Sequence, residues 1–257
     1  MTIRSADAER VRNISFFKQA DDPTFARAMT GAFLQRFPAN TTLLMEGDPV
    51  DFLYILLEGA VELGAGWKSK DTTLAILRPV STFILAAVVL ESDSLMSAVT
   101  LERSEILMVP GDSLRRSMKE DATFGFAVSE ELAGCYRGLV RSIKNHKLRD
   151  STERLANYLL TQRVRQGEKN TIVLPHEKRV LAALLGMTPE NLSRAFSKLS
   201  DKGVSVEGAH VRFDNVAALE RLARPTPLID NHYAQDCNTK GKAFTERQQG
   251  LLDTKSD

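Results

Sequence analysis

The sequence predicts an α+β protein in three consecutive parts: a rolled β-sheet, one long helix, and a small helical unit that ends in a β-hairpin. Short apolar segments bracketed by glycine and proline turns follow one another between residues 36 and 110, as in a series of β-strands. Apolar residues then recur at alternating spacings of three and four over residues 124–147, which is typical of an amphipathic helix. Two further helices, separated by a turn with a glycine, precede two short strands over residues 204–213.

Length and composition are those of an ordinary globular protein. The 257 residues carry a net charge of +1 and 43% of them are hydrophobic, which excludes a disordered chain, a collagen and a disulfide-stapled miniprotein. The two cysteines, Cys135 and Cys237, cannot form a tetrathiolate zinc or iron–sulfur site. The longest apolar run, residues 83–90, is too short to span a bilayer, and the N-terminus has no secretory signal. We therefore expect a cytoplasmic protein with no membrane partner.

Residues 1–118 are predicted to form the rolled sheet. The segment 52–57 (FLYILL) is apolar at every position, so both faces of that strand are buried, which favours a roll over a one-sided sheet. Turn signals at Gly47-Asp48-Pro49 and Glu58-Gly59 bracket it. Further strands are predicted at 73–77, 97–101 and 105–109.

Residues 119–148 are predicted to form a dimerisation helix. Its apolar stripe consists of Val128, Leu132, Cys135, Leu139, Ser142 or Ile143, and His146. Such a narrow stripe is typical of a two-stranded coiled coil, and its two polar members weaken it at one end, as would suit a switch. The alternative is a helix that packs only against its own domain.

Residues 149–224 are predicted to form a winged helix-turn-helix, the DNA-binding arrangement of two helices, a short turn and a hairpin. RLANYLL and HEKRVLAALLG each show the periodicity of an amphipathic helix. Gly186 and Thr188 interrupt the chain before the helix PENLSRAFSKLSDKG, which ends at Gly203. The hairpin VSVEGAHVRF follows. Residues 225–257 are polar and lack periodicity, so they are predicted to form a flexible tail.

Charge is distributed unevenly along the chain. Lys and Arg outnumber Asp and Glu by twelve to nine over residues 150–224, whereas the preceding and following parts are each slightly acidic. Five basic residues occur between 137 and 149, a stretch without any acid. This concentration of positive charge favours a nucleic-acid partner for the C-terminal unit. A solvated helix face is the alternative for those five residues.

The helix from residue 189 divides into two faces. Leu192, Phe196 and Leu199 share one face, and Glu190, Ser193, Arg194 and Ser197 share the other. Arg binds guanine O6 and N7, Glu accepts from cytosine N4, and Ser contacts either base or phosphate, so the polar face can read base edges in a major groove. The alternative is an exposed Glu–Arg pair without function. The candidate DNA-contacting residues are Glu190, Ser193, Arg194, Thr188, Asn191, Ser197, Lys198 and Arg179.

Two segments resemble the CRP/FNR superfamily of bacterial transcription regulators. LxxLLGMTPENLSRAFSKLSDKG, followed by VSVEGAHVRFDNVAALERLA, resembles the winged helix of that family, and EGDPVDFLYILLEGAVEL resembles its β-roll signature. The resemblance covers about residues 15–224. It implies a double-stranded β-helix like that of cyclic-nucleotide-binding domains, a homodimer, double-stranded DNA as ligand and RNA polymerase as partner. Glu190, Ser193 and Arg194 match the E-x-x-S-R triplet of the FNR branch, which implies palindromic DNA with TTGA-type half-sites.

The predicted roll departs from the ligand-binding patterns of that family. Cyclic-nucleotide binders carry a Gly-Glu pair and then Arg-Ser/Thr, where this chain has the apolar run 83–90 and then Leu95-Met96-Ser97. A cyclic phosphate buried there would lack a cationic partner, so we expect no cAMP binding. The missing cysteine cluster likewise predicts no iron–sulfur cluster.

The apolar run is either core of the roll or part of a pocket for an apolar or haem-like effector. The candidate pocket residues are Phe83, Leu85, Leu95, Met96, Leu132 and Cys135. No histidine precedes His146, so this residue is the weak candidate for a haem ligand.

Two other functions compete with a ligand- or redox-responsive regulator. A metal-dependent enzyme built on the roll would need clustered His and carboxylate ligands, and residues 1–145 contain no histidine. No Ser/His/Asp or Cys/His grouping offers a nucleophile either, so no metal site and no enzymatic activity are predicted. The remaining alternative is a regulatory module of a signalling assembly without sequence-specific DNA binding.

Overall fold

The structure, a computed structural model, describes residues 5–68 and 70–230. Three short helical segments precede the first strand: α1 (Ser5–Arg12), a 3-10 helix (Phe17–Gln19) and α2 (Asp22–Ala28). The Asp21 carboxylate accepts the Thr24 N–H at 2.8 Å and so caps the start of α2. These segments position the aromatic side chains of the 3-10 helix under the long helix described below.

Eight strands form the predicted roll. They are β1 (Phe33–Phe37), β2 (Thr42–Leu44), β3 (Phe52–Glu58), β4 (Val61–Trp67), β5 (Lys70–Leu77), β6 (Ser81–Phe83), β7 (Ser97–Thr100) and β8 (Ser104–Pro110). They pair antiparallel in two four-stranded sheets, ordered β1-β8-β3-β6 and β2-β7-β4-β5. The strands predicted at 73–77, 97–101 and 105–109 correspond to β5, β7 and β8.

Strand β3 is buried on both faces, as its uniformly apolar sequence predicts. Leu53, Ile55 and Leu56 are fully buried. One face points into the roll, and α1 and α3 (Leu85–Leu90) pack against the strand as well. The turn after β3 requires glycine: Gly59 has φ of +92°, and a Cβ there would overlap Ser104. A β-strand this apolar is stable in water only because both faces are covered.

The apolar run 83–90 spans the end of β6 and the whole of α3. Left-handed backbone at Ile84 and Glu91 bounds α3 on both sides. The Arg115 guanidinium, from α4 (Gly111–Glu120), donates to the Val88 carbonyl at 2.7 Å and pairs with Glu91 at 2.8 Å. Arg115 therefore holds the carboxyl end of α3, and its guanidinium already binds the Val88 carbonyl and the Glu91 carboxylate.

The long helix is α5 (Ala122–Leu148), against a prediction of 119–148; residues 119–120 belong to the end of α4. Asp121 caps α5 by accepting the Phe124 N–H at 3.0 Å, and this hydrogen bond holds the pKa of the Asp121 carboxyl below its ordinary value. Phe124 stacks on Phe17 of the 3-10 helix at 5.7 Å between ring centroids. The first half of α5 is thus part of the core of the roll.

The C-terminal unit has its own hydrophobic core, to which Leu155, Leu181, Phe196 and Leu219 contribute. Its elements are α6 (Ser151–Arg165), β9 (Thr171–Val173), α7 (Lys178–Leu184), α8 (Pro189–Ser200), β10 (Val204–Glu207), β11 (His210–Phe213) and α9 (Val216–Ala223). The predicted helices and hairpin are present. The sequence patterns missed β9, which pairs with β11, and α9, which packs on α6.

The described part of the predicted tail, residues 225–230, is anchored through its last residue. The Asp230 side chain is buried against the end of α5, where it pairs with Arg149. The predicted flexible tail thus begins with a segment that is anchored at Asp230, and residues 231–257 lie outside the described part of the chain. No helix within the described part is long and apolar enough to cross a membrane.

A half-buried histidine predicts how the stability of the protein depends on pH. His176 lies just before α7, and α7 packs against β5 of the roll. Burial, with the positive charges of Arg78 and Arg165, lowers the pKa of His176 from 6.5 to about 4. The unfolded chain therefore binds this proton near pH 6.5 and the folded chain does not. The stabilisation is complete above pH 6.5 and is lost as the pH falls towards 4.

We expect the free energy of unfolding to fall by about 1–2 kcal/mol between pH 7 and pH 4 because of this group, a value discounted for the partial exposure of the ring. The variant His176→Gln, which cannot titrate, removes this part of the pH dependence. Urea denaturation of both proteins over that pH range is the measurement. Parallel stability curves for the two proteins would contradict the assignment.

Candidate nucleic-acid interface

The turn between α7 and α8 is built by one glycine and one capping threonine. Gly186 has φ of +61°, and the Met187 N–H donates to the Ala182 carbonyl at 3.0 Å, which closes α7 as a Schellman motif. The Thr188 hydroxyl accepts the Asn191 N–H at 3.3 Å and Pro189 begins α8. This is the tight turn that the sequence predicts between the two helices.

Helix α8 divides into a packed face and an exposed face. Leu192, Phe196 and Leu199 are buried, as predicted, together with Ala195. Every one of the candidate DNA-contacting residues is exposed: Arg179, Thr188, Glu190, Asn191, Ser193, Arg194, Ser197 and Lys198. All but Arg179 lie on α8 or at its cap, and Arg179 is in α7. Packing of the apolar face therefore presents the polar face of α8 to solvent.

The exposed face carries an acceptor and a donor side by side. A hydrogen bond from the Thr188 hydroxyl, assisted by the backbone and by Arg194, holds the pKa of the Glu190 carboxyl below its ordinary value. Glu190 is thus ionised at neutral pH and can only accept hydrogen bonds, whereas Arg194 can only donate them. Arg194 makes one long contact, from Nη1 to Asn191 Oδ1 at 3.5 Å. Its guanidinium is consequently available for an external partner.

Thr188 has a structural role that is testable independently of any ligand. The variant Thr188→Ala removes the α8 cap and is expected to cost about 1 kcal/mol of stability. Thr188→Ser keeps the hydroxyl and is expected to retain most of the stability that Thr188→Ala loses. Thermal denaturation of the three proteins is the measurement. Equal losses for alanine and serine would show that the hydroxyl does not cap the helix.

Two side chains that the sequence patterns missed hold the α7–α8 turn. Arg154 of α6 donates from Nε to the Leu185 carbonyl at 2.8 Å and from Nη1 to the Arg149 carbonyl at 2.7 Å. His146 of α5 lies against Gly186, because a Cβ added there would be 2.7 Å from its ring. Neither contact has a signal in the sequence, since both join segments far apart along the chain.

The candidate effector residues are mostly core. Phe83 and Leu85 are buried, and Met96 and Leu132 pack against the same hydrophobic core. Phe83 stacks on Tyr54 with 5.1 Å between ring centroids. Cys135 is half-buried on α5. Leu95 is 81% exposed, so the expectation that it lines a pocket with the others is wrong. The core interpretation of the apolar run is therefore favoured.

His146 does not fit a haem ligand in the roll. Its Nδ1 donates to the Ser142 carbonyl at 2.9 Å, and its Nε2 would be 2.9 Å from a Cβ at Gly186. The exposed ring thus lies at the junction with the C-terminal unit, beside Gly186. Among the described residues, no three His, Cys, Asp or Glu side chains come together as metal ligands.

The second half of α5 exposes an apolar stripe. Val128 at the start of the predicted stripe is buried in its own protomer, whereas Leu139 is 64% and Ile143 58% exposed. Tyr136 and Val140 extend this exposed surface. The first half of α5 therefore packs against the roll, and the second half exposes apolar side chains; the dimerisation helix stays a prediction.

Comparison with protein families agrees with this two-part architecture. A family model described as "Cyclic nucleotide-binding domain" matches residues 34–121, and one described as "Crp-like helix-turn-helix domain" matches residues 153–222. The first match ends at residue 121, just before α5 begins, and the second begins at residue 153, shortly after α5 ends. Together they cover most of the described chain.

Curated relatives and a solved structure are similar to this chain over both parts. The global nitrogen regulator of Nostoc sp. is 27% identical over 69% of this chain and 84% of its own length. The CRP-like cAMP-activated global transcriptional regulator of Mycobacterium tuberculosis is 25% identical over 73% and 87%. FixK2 from Bradyrhizobium japonicum has a similar fold, with a TM-score of 0.66 and 21% identity over 76% of this chain and 98% of that one. The chain belongs to the CRP/FNR superfamily and is a transcription regulator with a Crp-like DNA-binding helix-turn-helix.

Proposed function

We propose that the chain is a homodimeric, ligand- or redox-responsive regulator that reads palindromic DNA with TTGA-type half-sites through α8. The observation that carries this proposal is the exposed face of α8, where Glu190, Ser193 and Arg194 stand on a helix whose opposite face is anchored in the core. A helix held in this way presents its side chains in a fixed arrangement to a groove.

The chemistry of this face suits the half-site. A TTGA element contains a single G·C pair, which offers guanine O6 and N7 as acceptors and cytosine N4 as a donor. The Arg194 fork binds the first two, and the ionised Glu190 accepts from the third. One donor and one acceptor on adjacent turns of the same helix thus match one base pair. Ser193 lies between them and contacts base or phosphate.

The exposed stripe of α5 is the proposed dimer surface. Leu139 and Ile143 continue the stripe that begins at the buried Val128, and Val140 lies beside it, so a second copy of α5 would bury the apolar side chains that the first leaves exposed. A dimer doubles the contacts to DNA and pairs two half-sites about one helical turn apart. RNA polymerase is part of the proposal as a protein partner, on the basis of family membership.

The effector of the proposed regulator is not cAMP. No Lys or Arg occurs between residues 79 and 102, the stretch that contains α3, and the nearby Arg115 is engaged by Val88 and Glu91. A cyclic phosphate on this stretch would therefore lie beside apolar and acidic side chains without a countercharge. The effector of the proposal is an apolar or haem-like molecule or a redox signal.

The test is binding to designed duplexes, measured by fluorescence anisotropy at one fixed salt concentration. The duplexes carry two inverted TTGA elements with centres about 10 base pairs apart, two TGTGA elements in the same places, or a scrambled sequence. Protein is purified with and without air, because the state that binds is set by its effector. We expect the TTGA duplex to bind at least about 100-fold more tightly than the scrambled one in one of these states.

Equal affinity for all three duplexes in every state would overturn the proposal and favour a signalling module without sequence-specific binding. Preference for TGTGA would leave a DNA-binding regulator but refute the half-site. An absorbance spectrum of the anaerobic protein checks the effector: a Soret band would identify a haem, and its absence from a protein that still binds DNA would exclude haem for that state.

A further inference from the structure

The junction between α5 and α6 consists of two residues with extended backbone. Arg149 has φ and ψ of −118° and 144°, and Asp150 has −74° and 173°. Asp150 caps α6 through a reciprocal pair of hydrogen bonds with Glu153. Very few torsions therefore set the angle between the long helix and the DNA-binding unit, so contacts outside the backbone must hold this angle.

The chain returns to this junction after α9. The guanidinium of Arg149 and the carboxylate of Asp230 form a two-pronged ion pair, with Nη1–Oδ1 and Nη2–Oδ2 both at 2.5 Å. The side chains are only 7% and 9% exposed. Asp230 Oδ2 accepts the Thr226 N–H at 2.7 Å, and Arg149 Nη1 donates to Asn145 at 3.1 Å. Lys144 Nζ reaches the Leu228 carbonyl at 3.4 Å.

This ion pair ties two parts of the chain in one geometry. A buried guanidinium or carboxylate without its partner is strongly unfavourable, so the pair is made only when residues 225–230 lie on the last turns of α5. Two parallel N–H···O bonds fix the direction of approach as well as the distance. A surface ion pair between flexible side chains would fix neither the distance nor the direction of approach.

The same junction holds the turn before the recognition helix. Arg154 bridges the Arg149 carbonyl and the Leu185 carbonyl, and His146 covers Gly186. A rotation about the junction would therefore move α8 relative to α5 and would break these contacts together with the Arg149–Asp230 pair. The match to the Crp-like helix-turn-helix domain ends at residue 222, so residues 224–230 lie beyond it.

We propose that residues 224–230 form a strap whose anchor, Asp230 on Arg149, fixes the angle between α5 and α8 and so sets the half-site spacing that the dimer accepts. Asp230 and Arg149 are positioning residues, because they act on DNA through the placement of α8. The spacing part of this inference rests on the proposed function. The fixed angle does not, and it is measurable without DNA.

The first experiment measures spacing preference with full-length protein. The variant Asp230→Asn keeps the shape of the anchor and removes its charge, and Asp93→Asn makes the same change at an exposed position of the roll. Duplexes carry inverted TTGA elements at the preferred spacing and one base pair closer or farther. We expect wild type and D93N to prefer one spacing about tenfold or more, and D230N to prefer it less than about threefold. Affinity for scrambled DNA should be the same in all three.

The second experiment measures the angle itself. Spin labels at Arg137→Cys on α5 and Glu220→Cys on α9, with both native cysteines replaced by serine, report one distance within a protomer. Labelled protein is diluted with unlabelled protein, so that each dimer carries one labelled copy. We expect a broader distance distribution in D230N and in Arg149→Lys, which keeps the charge but lacks the fork, and no broadening in D93N.

The outcomes of the two experiments distinguish a failure of the strap from a failure of the proposed function. Unchanged spacing preference together with an unbroadened distance distribution in folded D230N would overturn the strap. Broadening in D230N with no palindrome bound by wild type would support the fixed angle and refute the proposed function. A D230N protein that does not unfold cooperatively is replaced by Arg149→Lys, for which the same results are expected.

Discussion

Replacement of Arg194 by alanine is expected to weaken binding to the inverted TTGA duplex by about 1–3 kcal/mol. The reason is that only a guanidinium fork can bind guanine O6 and N7 together, and alanine leaves both acceptors without a partner. Arg194 is exposed and makes one long contact within the protein, so its loss should leave the fold of α8 intact. Anisotropy titrations on the TTGA and scrambled duplexes at constant salt measure the effect.

Lys198→Ala is the matched control on the same helix, because Lys198 is an exposed cation near the carboxyl end of α8. We expect it to weaken binding to both duplexes to a similar extent, as the loss of a phosphate contact does. Arg194→Lys, which retains charge without the fork, should resemble the alanine variant on TTGA. If R194A reduced binding to specific and scrambled DNA equally, the base-reading role of Arg194 would be wrong.

The variant Leu139→Asp is expected to dissociate the proposed dimer. Leu139 is the centre of the exposed stripe of α5, and in a two-fold dimer the change places two carboxylates in one apolar interface. Loss of the leucine contacts and the cost of burying the charges together exceed about 3 kcal/mol, or roughly 100-fold in dimer affinity. Sedimentation or light scattering over a concentration series is the measurement.

Val164→Asp makes the corresponding change at another exposed apolar residue, on α6 and outside the stripe. It should leave the dimer intact. DNA binding of L139D should fall with dimer affinity and should recover at high protein concentration, because each protomer keeps its own α8. A dimer of wild-type strength in L139D would place the interface elsewhere on the molecule.

Much of the fold could be predicted because its signals are local. The uniformly apolar segment FLYILL is enough to predict a strand buried on both faces, and the 3–4 spacing of Leu192, Phe196 and Leu199 is enough to predict the packed face of α8. The turn at Gly186 and the helix cap at Thr188 are likewise determined by residues that are neighbours along the chain. In each case the residues that decide the structure are within about two helical turns of one another.

The failures concern contacts between distant segments. Leu95 has the same apolar character as Met96, but only Met96 packs against the core. Residues 225–230 have the composition of a tail, and nevertheless Asp230 at their end is held by Arg149. His146 falls in the stripe of the long helix by spacing, yet it covers the turn that precedes α8. Composition and periodicity carry no information about which distant partner a side chain finds.

Local sequence patterns were sufficient to predict the two-part architecture, the long helix between the parts, and the polar face of α8 that carries Glu190, Ser193 and Arg194. These features follow from periodicity and turn residues, which act over a few positions along the chain. Contacts between distant segments, in contrast, set which half of α5 stays exposed and what holds the α5–α6 junction. The pair of Arg149 with Asp230 spans 81 residues. Such a contact depends on the folded path of the whole unit, because burial is what makes two distant charges require each other.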